Sequence, residues 1–248
     1  MYENSSDVRT WYISLRSRLR KDRMTVRLLE HDIAHKKNNS LIIDRKVAHV
    51  IRHQRYNPGT YDNDIALLKL DEKFDLSSAI KKRASRGDEV TTESEGTTEG
   101  ATTTVNPEKD LSIVRPVCLP AYGLSYTKHC GLVAGWGTTE QGGQTSSTLQ
   151  KVNVNIVSNK ECRDRSYGRR LTDNMLCAGY PEGGLDACQG DSGGPLTVQN
   201  ATTERHHVAG VVSWGEGCAL PDKYGVYTRV NRYNTWIKSN TLDACYCD

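Results

Sequence analysis

The chain has 248 residues, with 33 Lys and Arg against 30 Asp and Glu and a formal net charge of +3. That length can bury one large core or two small ones, and so mild a charge gives no reason to expect nucleic acid or a membrane as partner. No apolar run approaches the length that spans a bilayer.

Residues 1–23 form a basic segment to which no fold is assigned, and it lacks the apolar core of a signal peptide. Residues 24–70 carry short β-type runs, "MTVRLLEH", "SLIIDRKVAHVIRH" and "DIALLKL", separated by "KKNNS" and "NPGTYDND". Asn, Pro, Gly and Asp clusters form turns, so this is strand-and-turn material. Residues 81–110 are rich in Thr, Glu and Gly with almost no large apolar side chain. Such a stretch buries too little surface to order itself and reads as a flexible surface insertion. Its Arg86-Gly87-Asp88 is read as chance occurrence rather than an adhesion motif. Strand signals resume with "GLVAGWGT", the alternating "TLQKVNVNIVS", "HHVAGVVSWG" and "GVYTRV". Val230, Tyr233, Trp236 and Ile237 then fall at helical spacing and predict one closing helix. Short strands with turns throughout favour an all-β barrel or sandwich over βαβ units.

All eight cysteines lie from Cys118 to Cys247. An even number beside Gly-rich turns suggests a disulfide-stapled extracellular domain, a setting that the sequons at Asn4, Asn38 and Asn200 also suit. Metal ligation competes, but there is no C-x-x-C pair, so no metal or other cofactor is expected. The beginning of the chain conflicts with secretion. Either an amino-terminal part is missing from this sequence or the cysteines are free thiols, and the first reading is favoured.

The chemistry centres on "DACQGDSGGP", residues 186–195. A serine hydroxyl attacks a carbonyl well only when a base takes its proton and donors stabilise the oxyanion. Gly190 and Gly193 around Ser192 allow a tight turn that aims amide N–H groups beside the hydroxyl. The N–H groups of Gly190 and Ser192 are the candidate oxyanion hole. The plainer reading is a Gly-rich turn that happens to hold a serine.

Together, "YDNDIALLKL", "RPVCLP", "CGLVAGWGT", "DACQGDSGGP", "VVSWGEGCA" and "GVYTRV" stand in the order seen in chymotrypsin-like serine endopeptidases. The chain resembles their trypsin-like, arthropod-type members over about residues 24–74 and 113–248. The resemblance implies two six-stranded β-barrels with the catalytic groups between them, the first barrel here incomplete, and a C-terminal helix. It divides the chain into the segment 1–23 and a protease domain 24–248. It implies Ser192 as nucleophile and Asp64 as the acid that orients a histidine. It implies Asp186 as the carboxylate that pairs with a substrate Arg or Lys, Gly215 and Gly225 as pocket walls, and Ser213, Trp214 and Gly215 as the segment that pairs with substrate backbone. The substrates implied are proteins or peptides with Arg or Lys at the cleaved bond.

One part is missing. In the template the histidine precedes the aspartate by about 45 residues, which points to "LRKDR" at 19–23, where no histidine stands. His31, His35, His49, His53, His129, His206 and His207 are each read as structural or surface residues. Activity as written is therefore expected to be absent, and the alternative is a non-catalytic homologue that binds or regulates other proteins. In the family, Asp191 pairs with the new amino terminus made by activation. No such segment is found here, so the turn should relax or Asp191 should find another partner, and a disordered or zymogen-like pocket is expected. By the same resemblance Cys162 pairs with Cys177 and Cys188 with Cys218, while Cys118 tethers a pro-region. Cys130 lacks its usual partner, and Cys245 or Cys247 is expected to replace it.

Overall fold

The computed structural model describes residues 11–14, 20–34, 42–72 and 116–247. Segment 81–110 lies outside the described residues, as do Asn4 and Asn38. Strand β4 (Ala66–Leu70) reads ALLKL, nearly all apolar, because it lies inside a sheet with both faces covered. The sheet order is β1 (Trp11–Ser14), β4, β3 (Ile43–Arg52) and β2 (Thr25–Leu28), all antiparallel. β1 falls in the segment left unassigned from sequence. Its four residues are too short a signal alone, and only the ladder to β4, from Trp11 opposite Lys69 to Ser14 opposite Ala66, makes them a strand.

The second half is a closed barrel. Its order is β10 (Gly225–Arg229), β7 (Met175–Ala178), β6 (Gln150–Val157), β5 (Cys130–Gly135), β8 (Pro195–Gln199) and β9 (His206–Trp214). Alternation in β6 turns Val154 and Ile156 inward, where they meet Val133, Leu176, Leu196 and Tyr227. Ile65, just before β4, and Leu67 within it share a core with Val208, Val211, Val230, Tyr233 and Ile237. This apolar seam joins sheet to barrel. One six-stranded barrel, a second sheet and a short closing helix give the chymotrypsin-like arrangement expected from sequence.

The closing helix differs in detail. Val230–Arg232 make a 3₁₀ turn, Tyr233 departs from helical geometry at φ −111° and ψ 4°, and a helix runs only over Asn234–Asn240. The spacing still serves its purpose, because Val230, Tyr233 and Ile237 are all buried. A shorter helix, Asn159–Cys162, escaped the sequence reading. Ser158 caps it by accepting a hydrogen bond from the Glu161 N–H at 3.0 Å.

Disulfides join Cys162 to Cys177, Cys188 to Cys218 and Cys118 to Cys247. Closing the first of these loops contributes about 3 kcal/mol. The third corrects two expectations: Cys118 is joined within the chain, and Cys130 and Cys245 are exposed free thiols. The cause is packing of the tail. Tyr246 lies against the seam, with its hydroxyl on Thr241 and Lys238 over its ring. That anchor brings Cys247 to Cys118, Cα to Cα 5.4 Å. Cys130 instead starts β5 opposite Asn155. Iodoacetamide applied to the folded protein is therefore expected to label two cysteines, Cys130 and Cys245, by peptide mass mapping. Label on Cys118 or Cys247 would overturn the pairing.

Candidate active site

Asp64 stands just before β4 and is 5% exposed. Its Oδ2 accepts a hydrogen bond from Ser213 Oγ at 2.8 Å, and its carbonyl accepts one from Thr228 Oγ1 at 2.6 Å. Ser213 is the penultimate residue of β9 and Thr228 lies in β10, so a carboxylate from the loop before β4 is docked onto the barrel. Before it, Tyr61 and Asn63 take left-handed backbone (φ 58° and 57°), a tight turn that aims the Asp64 side chain inward.

Ser192 is exposed on the turn that enters β8. Gly190 and Gly193 take φ of +104° and +89°, a region closed to most side chains. The turn is pinned from behind, with Gly193 N–H donating to the Val212 carbonyl at 3.0 Å and Gly194 N–H to that of Asp191 at 2.8 Å. The N–H groups of Gly190 and Ser192 make no such bond among the described residues.

Asp191 has found other partners. Its Oδ1 accepts from the Gly137 N–H at 2.8 Å and its Oδ2 from the Cys188 N–H at 3.0 Å. Rather than the disordered pocket expected from sequence, the turn is ordered and backbone amides take up the Asp191 charge. Gly135 and Gly137 make room for this: a Cβ on either would lie 2.1 or 2.5 Å from the Asp191 carboxylate. The repeated glycines of "AGWGT" were the available signal, though not recognised as such from sequence.

A cavity of about 160 Å³ opens beside Ser192, bounded by Asp186, Cys188, Gln189, Ser213, Trp214 and Gly215, with Gly225 and Tyr227 behind. The Cys188–Cys218 disulfide ties two of its walls. Asp186 accepts from the N–H groups of Ala187 (2.8 Å) and Ala219 (3.2 Å). Burial outweighs those bonds and pushes its carboxyl up to about 6. A Cβ on Gly225 would come within 2.6 Å of Asp186 Oδ1, so only glycine leaves that carboxylate open to the cavity. The Tyr227 hydroxyl and Trp214 Nε1 are buried without a hydrogen-bond partner among the described residues. Ser192, Ser213 and Asp186 thus line one cavity, and Ser213 carries the bond to Asp64.

Beside it, the Arg170 guanidinium lies 4.9 Å over the Trp214 ring and is paired with Glu216, while Tyr61 stacks on Trp214 at 6.4 Å. Glu216 also holds Lys223 at 2.7 Å. The sequence reading missed this charged edge, which forms only when three separate loops meet.

The histidines have other duties. His53 packs edge-on to Tyr233 (5.3 Å), tilts on Trp236 (5.0 Å) and accepts from the Arg55 N–H at 3.3 Å. Burial, helped by nearby Arg55, lowers its pKa. His207 Nδ1 shares a hydrogen bond with the Tyr126 hydroxyl at 2.9 Å, and His129 donates to the Thr127 carbonyl at 3.4 Å. His49 lies opposite Lys69 on β3, His31 and His206 are exposed, and His35 is outside the described residues.

Because Ser14 faces Ala66, the chain leaves β1 at the Asp64 end of β4. The sequence that follows, "LRSRLRKDR" at 15–23, contains no histidine.

The Trypsin family model matches residues 17–112 and 109–237. Trypsin-1 of Astacus astacus is 41% identical over 196 residues, covering 79% of this chain and 67% of the relative. Trypsin eta of Drosophila melanogaster is 40% identical over 192 residues, or 77% of the chain and 58% of the relative. The bovine (Bos taurus) suppressor of tumorigenicity 14 protein homolog is 36% identical over 205 residues, 82% of the chain but 20% of that protein. The chain thus spans about two thirds or less of the proteins that it matches. With the matched regions taking in Asp64 as well as Ser192, the chain belongs to the trypsin family of serine proteases.

Proposed function

We propose that this chain carries the site of a serine endopeptidase directed to peptide bonds that follow Arg or Lys. The observation that carries the reading is one cavity with Ser192 at its mouth and the Asp186 carboxylate facing inward beside Gly225. In the proposed roles Ser192 Oγ attacks the carbonyl carbon, and the N–H groups of Gly190 and Ser192 receive the oxyanion. Asp64, held by Ser213, orients the base. Asp186 pairs with the substrate cation, Gly215 and Gly225 keep the channel open, and the edge Ser213–Gly215 adds the substrate as a strand. Asp191 anchors the turn on its two amide donors.

Without a base, the serine hydroxyl keeps its proton and the site binds without cleaving. A second reading, a non-catalytic homologue that holds proteins by an exposed Arg or Lys, is favoured by one observation: the histidine-free stretch after β1. Both readings share the recognition step. A peptide ending in arginine amide is expected to bind at least about a hundredfold more tightly than its norleucine analogue, measured by calorimetry. Equal affinities would remove the Asp186 assignment.

Three disulfides support an oxidising, extracellular setting. Asn200 supports glycosylation there, since it sits on the β8–β9 hairpin and its Oδ1 accepts from the N–H groups of Thr202 and Thr203 at 2.9 and 3.0 Å. Among the described residues no helix is long and apolar enough to cross a membrane.

A further inference from the structure

A second groove of about 460 Å³ lies on the four-stranded sheet, and none of its lining residues belongs to the Asp186 cavity. It runs between the 3₁₀ turn Lys21–Arg23, Met24, Thr25 of β2 and Lys46–Val47 of β3. Thr25 stands opposite Lys46 in the ladder, which brings the turn before β2 alongside β3. Lys21, Arg23 and Lys46 are exposed on its rim, above a floor that includes buried Val47. Its one acid, Asp22, is held by Arg20 at 3.1 Å.

The cations nearby divide into two sets. Arg27 is paired with Asp44 at 2.8 Å and with Glu30 at 3.6 Å, and Arg45 with Glu72 at 3.6 Å. Arg23 and Lys46 have no ion pair among the described residues, and Lys21 reaches only the Ala48 carbonyl at 3.4 Å. Three like charges thus converge on one concave surface without an ion-paired acid among the described residues, while their neighbours are neutralised. Such a surface repels itself and favours any ligand that supplies closely spaced anions.

We propose that this groove binds a sulfated polysaccharide. A chain of sulfates and carboxylates matches three cations spread along adjoining backbone segments, and each contact releases a bound counter-ion. The groove has no aromatic ring among its lining residues, so it offers no stacking platform for the bases of a single-stranded nucleic acid. The disulfides fit an extracellular setting, where polyanions are sulfated glycans.

The test follows a fluorescent heparin octasaccharide by anisotropy across a salt series, using the full chain. Lys21→Glu/Arg23→Glu/Lys46→Glu is expected to bind at least about tenfold more weakly, with a salt slope smaller by about 2 to 3. Lys151→Glu/Arg169→Glu/Arg232→Glu changes net charge equally, away from the groove, and is expected to lose much less. Equal losses in the two triple variants would overturn the proposal. So would competition by oligothymidylate as strong as that by heparin, which would point to nucleic acid. Circular dichroism and the thermal midpoint check folding. If the groove variant does not fold, Lys46→Gln alone is expected to reduce the salt slope by about one, and an unchanged slope overturns the site.

Discussion

Incubated with a peptide ester carrying arginine at the scissile bond, this chain is expected to turn over about a million times more slowly than an enzyme with a complete triad. That scale follows from subtilisin, where loss of the histidine alone costs about as much as loss of all three groups. The reason is chemical. A serine alkoxide is inaccessible near neutral pH unless a neighbour takes the proton as the bond to carbon forms. Here Ser192 is presented on a pinned turn and Asp64 is held by Ser213 Oγ at 2.8 Å, but the stretch after β1 supplies no imidazole. On the proposed roles, the residual rate would rest on the amide donors of Gly190 and Ser192 and on orientation of the substrate. Steady-state kinetics of the wild-type chain beside Ser192→Ala checks this. Turnover within a hundredfold of a complete trypsin, abolished in Ser192→Ala, would show that a base is supplied and would retire the non-catalytic reading.

The second large effect concerns Asp186. Its carboxyl is pushed up to about 6 by burial, with nearby Asp191 adding repulsion and the N–H groups of Ala219 and Ala187 opposing both. Only the ionised form pairs with a cation. Affinity for benzamidine is therefore expected to rise as pH climbs through 6 and to level off above it, with about a tenfold loss between pH 7.5 and pH 5. Asp186→Asn should flatten that profile and weaken binding by roughly a hundredfold or more, the scale for removing one partner of a buried charge pair.

Stability moves the other way. The folded carboxyl is raised above its unfolded value near 3.9, so the folded state holds the extra proton between about pH 4 and 6. The empty protein accordingly loses stability as pH rises through that window, by on the order of 3 kcal/mol once both forms are ionised. Asp186→Asn is expected to raise the thermal midpoint at pH 8 while weakening the ligand. A midpoint unchanged at pH 8, or a benzamidine profile flat from pH 5 to 8, would show that Asp186 is well hydrated.

Much of the fold was legible because its evidence is local. Period-two alternation in "TLQKVNVNIVS" marks β6, and the run "DIALLKL" marks a strand covered on both faces. The Ser192 turn was equally readable, since Gly190 and Gly193 stand where the backbone takes positive φ. Other features have no local trace. Trp11–Ser14 becomes a strand only by pairing with β4, some 55 residues further along the chain. Cys118 takes Cys247 rather than a partner outside the chain because Tyr246 anchors the tail against the seam.

By itself the sequence determined the all-β class, most strand runs and the serine turn, since spacing and residue type dictate backbone geometry over a few residues, while the resemblance to the family supplied the residues around the cavity. Only the tertiary structure decided which cysteines meet, which amides hold Asp191, that Ser213 holds Asp64, and that Lys21, Arg23 and Lys46 share one groove. Those outcomes depend on distances between segments remote in sequence, and it is the burial of the common apolar seam that sets such distances.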